Sequence, residues 1–591
     1  MRILAGKDAK ADLVIALGAI ATTFVVLSPV LLRRGWPYNH EWLNFIERVT
    51  ALAAQWRLGH LIPVWSTAEL LGYGSPSVGI YHKAYSYLAA LFFLVTGGIK
   101  KSLVLALGVF SVVAFTGVAR CVRAVKGSPA ITVELFAGFC LLSSNYATLD
   151  WLVRGAFSEY SALCVSPWLF LWSVGIMKDG RWALWIGPAL AAVFLCHTTI
   201  AFFGSALLAI AVVIAVLRGV AIRPLIRPAA VSIVIFALCI APFVLPVAAL
   251  FDYGRSDAFL VPGFTPQTHR VDLIRFFFDR AWTWGRTWEG YTVQIDPGLL
   301  LGLIPFAAML GAYGVRRWRG GLRAARCGCG EQDVILPFGL FLVCVLGGCL
   351  FLQTKEAFFV YETIPGAIYI QFAWRLLTFI TVAAVLASAL VFLVLLGPDR
   401  TSGESSELRR IIGGGFMIGI ALSTLNNDVL ITGTQYDWFP PQMLRETAAH
   451  PLDLFAGGEY MPRTPDASPR QLLDRLAKSG TPEDQGNCTV QSLTGTGERR
   501  ESSFRVKCAT PGVVKLPLFY SGAETIWVGS ENRTEMKSDV APRTCEDPRL
   551  QLSLAAGDVP VVVEAPTWWS VVGRRLLATP AFAYARDCPS K

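Results

Sequence analysis

Charged side chains are scarce in this 591-residue chain. Asp, Glu, Lys and Arg together make up 16%, against roughly 25% in a soluble domain. Apolar residues make up 54%, and mean hydropathy is +0.51. A water-soluble globule of this length needs more charge to face solvent, and a disordered chain has far fewer apolar residues. Both classes are excluded. The sequence also lacks G-x-x-x-x-G-K-[ST], H-E-x-x-H and G-x-S-x-G, so neither ATP-driven transport nor the common soluble hydrolase chemistries find support. No small-residue cleavage site follows the first apolar run before Arg33-Arg34. Residues 11–32 are therefore expected to stay as a membrane span rather than leave as a signal peptide.

What the chain does have is apolar runs of the roughly 18 to 20 residues that cross a bilayer. Helical runs are predicted near 12–33, 102–119, 131–148, 161–177, 182–197, 199–217, 228–250, 297–315, 334–352, 370–396 and 411–426. A further segment, 79–98, is interrupted by Gly79, Lys83 and several Tyr residues, and is expected to be re-entrant or interfacial. The net charge of +10 sits in short loops: Arg120, Arg123 and Lys126; Lys178 and Arg181; Arg218, Arg223 and Arg227; Arg316, Arg317, Arg319, Arg323 and Arg326; Arg400, Arg409 and Arg410. Such placement is an orientation signal rather than a nucleic-acid surface. The partner is therefore the lipid bilayer, with the N-terminus cytoplasmic. Loops 35–78, 251–296 and 353–369 and the tail from 427 share the opposite face. Loop 251–296 is too long for a simple connector and is a candidate lid.

At about residue 427 the chain turns rich in Pro, Gly and charge. Short β-favouring stretches follow at 503–507, 512–520, 524–529, 549–554 and 558–564. The expected fold class is an α-helical polytopic membrane protein, with residues 1–426 in the membrane domain and 427–591 in a β-sandwich-like domain outside the cytosol. Nine of the 13 cysteines precede residue 350, mostly in apolar runs. Cys488, Cys508, Cys545 and Cys588 lie in the tail and permit two disulfides in an oxidising compartment. Cys327 and Cys329 lack the further ligands that a metal site needs.

Polar residues that solvation does not explain fall on the outer side. The first outer loop carries Asn39-His40-Glu41-Trp42, Arg48, His60 and Tyr81-His82-Lys83, a mixture that suits an amphipathic interfacial helix. Glu41 lies just past the first span, beside an imidazole, where a carboxylate can take a proton from a hydroxyl nucleophile. In Asp150-Trp151-Leu152-Val153-Arg154-Gly155-Ala156-Phe157-Ser158-Glu159, the ionisable groups stand against apolar sequence and are expected to pair. Arg154 either forms a structural pair with Glu159 or binds an anionic headgroup. Arg375, in Gln371-Phe372-Ala373-Trp374-Arg375, pairs with a carboxylate, a phosphate or the lipid surface. His197, in Cys196-His197-Thr198-Thr199, is expected to be a hydrogen-bonded core histidine.

These motifs resemble a known family. The run from Asn39-His40-Glu41 through Leu58-Gly59-His60, Pro63-Val64-Trp65 and Gly72-Tyr73-Gly74 to Tyr81 is similar to the first outer loop of YfhO-like bacterial membrane proteins. Those are related to the six-pyruvoyl-tetrahydropterin-synthase-related membrane proteins and to GT-C glycosyltransferases. Val153-Arg154-Gly155-Ala156 with Glu159, Gln371 to Arg375, and Gly458-Glu459-Tyr460-Met461-Pro462-Arg463 resemble further signatures of that group. The resemblance implies a bacterial inner-membrane enzyme with a periplasmic C-terminal domain. It implies sugar transfer from a polyprenyl-phosphate donor to an envelope glycan or lipid acceptor. Glu41, helped by His40, would be the catalytic group, where relatives often carry Asp. Arg154, Arg375 and His197 would hold the donor phosphate, with Glu159, Tyr81 and His60 in support. A divalent metal, Mg or Mn, could assist, although no complete ligand set is visible. A lipid-linked glycan flippase, an acyltransferase using His197 as base, and a non-catalytic envelope scaffold are the competing readings.

Overall fold

The structure is a computed structural model and describes residues 9–37, 39–70, 72–179, 183–221, 223–250, 265–279, 293–320, 334–396, 404–434, 438–442, 484–485, 487–494, 498–519, 521–529 and 549–576. Its helices are α1 (Ala9–Leu32), α2 (Trp42–Arg57), α3 (Ser77–Ile80), α4 (Ala84–Thr96), α5 (Ile99–Lys126), α6 (Ile131–Leu142), α7 (Asn145–Thr148), α8 (Phe157–Asp179), α9 (Ala183–Cys196), α10 (Thr198–Leu217) and α11 (Arg223–Leu250). After these come α12 (Pro297–Gly320), α13 (Ile335–Phe351), α14 (Phe358–Thr363), α15 (Leu377–Leu395), α16 (Glu404–Thr434) and α17 (Trp568–Leu576).

Among the described residues, seven helices are long and apolar enough to cross a membrane: α1, α5, α8, α10, α11, α12 and α15. An eighth span is counted if α13 and residues 355–363, bent by 93°, act as one. Burial sorts them. The apolar windows of α8 and α15 are 94% enclosed by other helices, whereas α11 is only 17% enclosed. Ile233 and Leu238 on α11 and Ile304 on α12 point outward, as lipid-facing side chains do. Helix α1 runs antiparallel to α5. Asp12 pairs with Arg120 and Arg123 at one end, and Lys100 Nζ donates to the Arg33 carbonyl at the other.

The helix in segment 79–98 is shorter than the roughly 20 residues that cross a bilayer. Helix α4 covers 13 residues, about 20 Å, and folds back on α5 across Gly97, whose φ of 65° suits the residue without a Cβ. Helix α2 departs from the expectation of an interfacial helix whose charges face water. It is buried on most sides, Glu47 and Arg48 included.

Strand β1 (Trp36–Pro37) pairs antiparallel with β2 (Trp438–Phe439). The C-terminal region carries antiparallel strands β3 (Asp484–Gln485), β4 (Cys488–Ser492), β5 (Glu501–Cys508), β6 (Gly512–Phe519), β7 (Thr525–Val528), β8 (Arg549–Leu554) and β9 (Gly557–Glu564). They form a five-stranded sheet in the order β3-β4-β5-β9-β7 and a β6-β8 pair. Side chains alternate along β5, with Phe504 and Val506 inward and Arg505 and Lys507 outward. Phe504, Val506, Val561 and Val563 of one sheet share a core with Val514, Leu516, Leu550 and Leu552 of the other. Cys488 and Cys508 face each other across β4 and β5 and form a disulfide. Cys327, Cys329, Cys545, Cys588 and the Gly458–Arg463 motif lie outside the described residues, as does most of loop 251–296.

A polar seat joins this region to the first outer loop. Glu498 accepts hydrogen bonds from Gln55 Nε2 (2.6 Å), the Thr67 amide (2.9 Å) and Ser66 Oγ. Arg500 donates to the Leu58 carbonyl, and the Phe519 amide donates to the Tyr73 carbonyl at 2.8 Å. Beside it, Glu69 is 2% exposed and accepts from Ser77 Oγ at 2.5 Å. Burial, with Glu498 nearby, pushes its carboxyl up to about 7. The fold thus favours the protonated form. Its contribution is complete below the ordinary carboxylate value and is lost as pH rises through about 7. Wild-type protein should therefore lose on the order of 2 kcal/mol between pH 5 and pH 8.5, read by thermal unfolding in detergent. Glu69→Gln should flatten that dependence; an equally steep loss in the variant overturns the assignment.

Candidate active site

Two of the expected spans break where the polar motifs occur. After α6 the chain passes Ser143-Ser144 into α7 and a π-helical turn, Leu149–Arg154. Gly155, at φ 66°, ends that turn and leads into α8. The second break precedes α15. Two 3₁₀ turns, Ala367–Ile370 and Ala373–Leu376, flank Gln371. Gln371 has φ 58°, a left-handed conformation that costs a non-glycine residue about 1 kcal/mol or more. Breaks of this kind free backbone carbonyls that must find donors. Arg154 O accepts from the Glu41 amide at 3.0 Å, and Ile370 O accepts from Arg375 at 2.9 Å.

The two breaks and the first outer loop meet in one charge cluster. Arg154 Nη1 lies 2.5 Å from Asp150 Oδ1 and 3.1 Å from Glu159 Oε2. Arg375 Nε reaches the same Glu159 oxygen at 3.2 Å. Tyr146 Oη donates to the other Glu159 oxygen. The Trp374 ring lies 4.4 Å from the Arg154 guanidinium, a cation–π distance. The Arg154 side chain is 4% exposed and that of Arg375 is 13% exposed.

Glu41 caps the start of α2 at the edge of this cluster. Its Oε1 is 3.9 Å from Arg154 Nη2, and Tyr81 Oη approaches Oε2 at 3.5 Å. It keeps 23% of its side-chain surface exposed. Burial raises its pKa, while Arg154, Arg375 and Arg48 pull the other way. Burial and the Glu41 charge push the Tyr81 phenol up to about 12, so it is a hydrogen-bond donor rather than a base.

The remaining expected residues divide. His197 is 5% exposed and stacks on His82 with centroids 4.3 Å apart; its Nδ1 pairs with Thr199 Oγ1 at 3.0 Å. It adjoins the cluster through His82, whose ring lies 4.9 Å from that of Tyr81. His40 is half-buried beside Glu41. His60 does not join them. It pairs with Gln55 Oε1 at 2.6 Å, at the far end of α2 and next to the Glu498 seat. Sequence reasoning gave no role to Asp150, Tyr146, His82 or Arg48. The signals present were the clustering of His82 with His40 and His60 early in the chain and the i, i+4 spacing of Asp150 to Arg154. Of loop 251–296, the described part packs His269 against Phe372 at 4.6 Å and joins the Ile295 amide to Phe276 O at 2.8 Å. That part therefore lies against the Gln371–Arg375 motif.

Among the described residues, no group of three or more His, Cys, Asp or Glu side chains is placed to hold a divalent metal. Glu41 itself faces guanidinium groups, which suit anions.

Gly155 sets the approach of the outer loop. A Cβ at this position would lie 2.2 Å from Asn39 Oδ1, and the positive φ already disfavours one. Gly155→Ala should displace Asn39 and with it the Glu41–Arg154 backbone bond, at a cost of about 2 kcal/mol or more. Thermal unfolding in detergent reads the loss, and an unchanged melting temperature contradicts the close approach.

No family model and no curated relative matches the chain. Among solved structures it is similar to the arabinofuranosyltransferase AftD from Mycobacteria, at 14% identity and a TM-score of 0.45, over 76% of this chain and 29% of AftD. It is also similar to the Archaeoglobus fulgidus oligosaccharyltransferase in its apo form, at 12% identity and a TM-score of 0.42, over 78% of this chain and 62% of the other. The structure of that organism's AglB with an inhibitory peptide and a dolichol-phosphate gives 12% identity and a TM-score of 0.40, over 78% and 62% of the two chains. The chain thus spans under a third of AftD and about three fifths of the archaeal enzyme.

Proposed function

We propose that this protein is an integral-membrane glycosyltransferase of the GT-C type that moves a sugar from a polyprenyl-phosphate donor to a hydroxyl acceptor. The acceptor would be an envelope glycan or lipid on the outer face of a bacterial inner membrane. The observation that carries the reading is the placement of Glu41: a partly exposed carboxylate sharing one cluster with Arg375, Tyr81 and the His82–His197 pair. The resemblance of the three motifs to GT-C-related membrane proteins supports the same reading.

In this mechanism Glu41 accepts the proton of the acceptor hydroxyl as its oxygen attacks C1 of the donor sugar. The C1–O bond to phosphate breaks, its electron pair leaves with the polyprenyl phosphate, and the Glu41 proton passes to water. Arg375, the more exposed of the two cluster arginines, stabilises the charge that develops on the leaving phosphate. Arg154 takes a different role from the phosphate grip expected of it. Two carboxylates already hold its Nη1, so it positions Glu41 through its own carbonyl. His197, stacked and buried, supports the phosphate side.

The test incubates purified protein with a panel of polyprenyl-phosphate hexoses and pentoses and follows release of polyprenyl phosphate. Glu41→Gln should reduce turnover by about 10²-fold or more with an unchanged melting temperature, while Glu41→Asp should retain part of it. Because burial raises the Glu41 pKa and the base must be ionised, wild-type kcat/KM should fall as pH drops through a value above the ordinary carboxylate range. Full activity in Glu41→Gln removes it from the mechanism. Binding without any product favours a lipid-carrier translocator.

A further inference from the structure

Helix α2 presents Glu41, Phe45 and Arg48 along one face, at the i, i+4 and i+7 spacing of side chains stacked on a helix. All three meet Tyr81. The Phe45 ring lies edge-on to it at 6.0 Å, the Arg48 guanidinium carbon sits 3.4 Å from its ring centroid, and its hydroxyl approaches Glu41 at 3.5 Å. Arg48 is 4% exposed. A guanidinium so buried costs several kcal/mol unless opposing charge is near. Glu47 and Glu69, both 2% exposed, lie in its field; because burial favours their protonated forms, the Tyr81 ring face carries part of that compensation. The packing places a desolvated cation on the face of a phenol that reaches the carboxylate.

We propose that Arg48 is a positioning residue for the transfer reaction, acting on Glu41 through the Tyr81 ring; this rests on the transferase reading above. A cation over a phenol ring fixes the ring plane by electrostatic attraction and draws electron density from the hydroxyl. Tyr81 is thereby held with its O–H directed at Glu41 as a strengthened donor. Glu41 also faces Arg154 from the π-helical turn, Glu159 from α8 and Arg375 ahead of α15; Asp150 senses the same carboxylate. Arg48 adds to the groups that favour ionised Glu41, and its loss moves the Glu41 titration upward.

The experiment compares wild type, Arg48→Lys, Arg48→Met, Tyr81→Phe and the Arg48→Met/Tyr81→Phe double variant, in detergent, with the polyprenyl-phosphate sugar that wild type turns over. Arg48→Met should lower kcat by about 10-fold or more with KM for the donor within about threefold. The acid limb of its kcat/KM profile should move to higher pH. Arg48→Lys, which keeps a cation, should recover most of the rate and restore the limb. The double variant should be little worse than either single one, because both act through the same hydrogen bond. Should the acid limb of Arg48→Met coincide with wild type, or the two losses multiply, the positioning role is lost although the transferase reading stands. Absence of polyprenyl-phosphate release by wild type instead ends the transferase reading, and a fully active Glu41→Gln removes the carboxylate on which Arg48 would act. If Arg48→Met does not fold, the limb and coupling are read in Arg48→Gln, alone and combined with Tyr81→Phe, where an unmoved limb or multiplied losses overturn the role.

Discussion

The burial of Arg154 between Asp150 and Glu159 is the constraint on which the site depends. Removing both carboxylates would leave a guanidinium stranded among apolar helices, a loss of about 3–5 kcal/mol or more by comparison with buried pairs. The three groups therefore lock the π-helical turn against the start of α8. Arg375 is drawn into the same network by Glu159, so two helix breaks far apart in sequence become one structure. The carbonyl that the break exposes at Arg154 is the group that receives the Glu41 amide. Charge pairing and backbone satisfaction thus place the Glu41 carboxylate without any direct hydrogen bond to its side-chain oxygens from an arginine.

Helix α2 extends that order in the other direction. Its 16 residues span about 24 Å, with Glu41 at one end and the Gln55–Glu498 contact at the other. A short antiparallel pairing of residues 36–37 with 438–439 ties the same loop to the end of α16. The seat of the C-terminal sheets and the carboxylate of the charge cluster are accordingly carried by one stiff element. Movement of that seat would be felt at Glu41 as a shift of the helix that it caps.

The helical bundle and the later strands were legible because hydropathy and alternation are local properties. Stretches 549–554 and 558–564 were expected as strands, and β8 and β9 occupy 549–554 and 557–564. The breaks were not legible. Segments 131–148 and 370–396 read as unbroken apolar runs, and an averaged hydropathy hides the π-helical turn and the left-handed Gln371, a residue type that gives no warning of that conformation. Glu47 and Arg48 misled for a related reason: charged residues on a helix beside a membrane ordinarily face water, and only the packing of distant elements shows that these do not. The Glu498 seat joins residues more than 400 positions apart, which no single sequence can disclose. Glu41, Arg154, Glu159 and Arg375 were found early because ionisable groups against apolar sequence need partners, and here they are one another's.

The three carboxylates of the cluster show how environment assigns roles to like groups. The Asp150 side chain is fully enclosed and bound to Arg154; Glu159, 2% exposed, is shared by two arginines and a tyrosine. Burial closes Asp150 to a substrate, and both Glu159 oxygens are engaged in the network that holds the fold. Glu41 makes only longer contacts, at 3.5 and 3.9 Å, and keeps the most open surface of the three. A hydroxyl that approaches it exchanges a weak contact for a strong one, and the arginines behind it oppose the rise in pKa that burial causes. That division, two acids spent on structure and one held in reserve at the edge, is what an acid–base role requires.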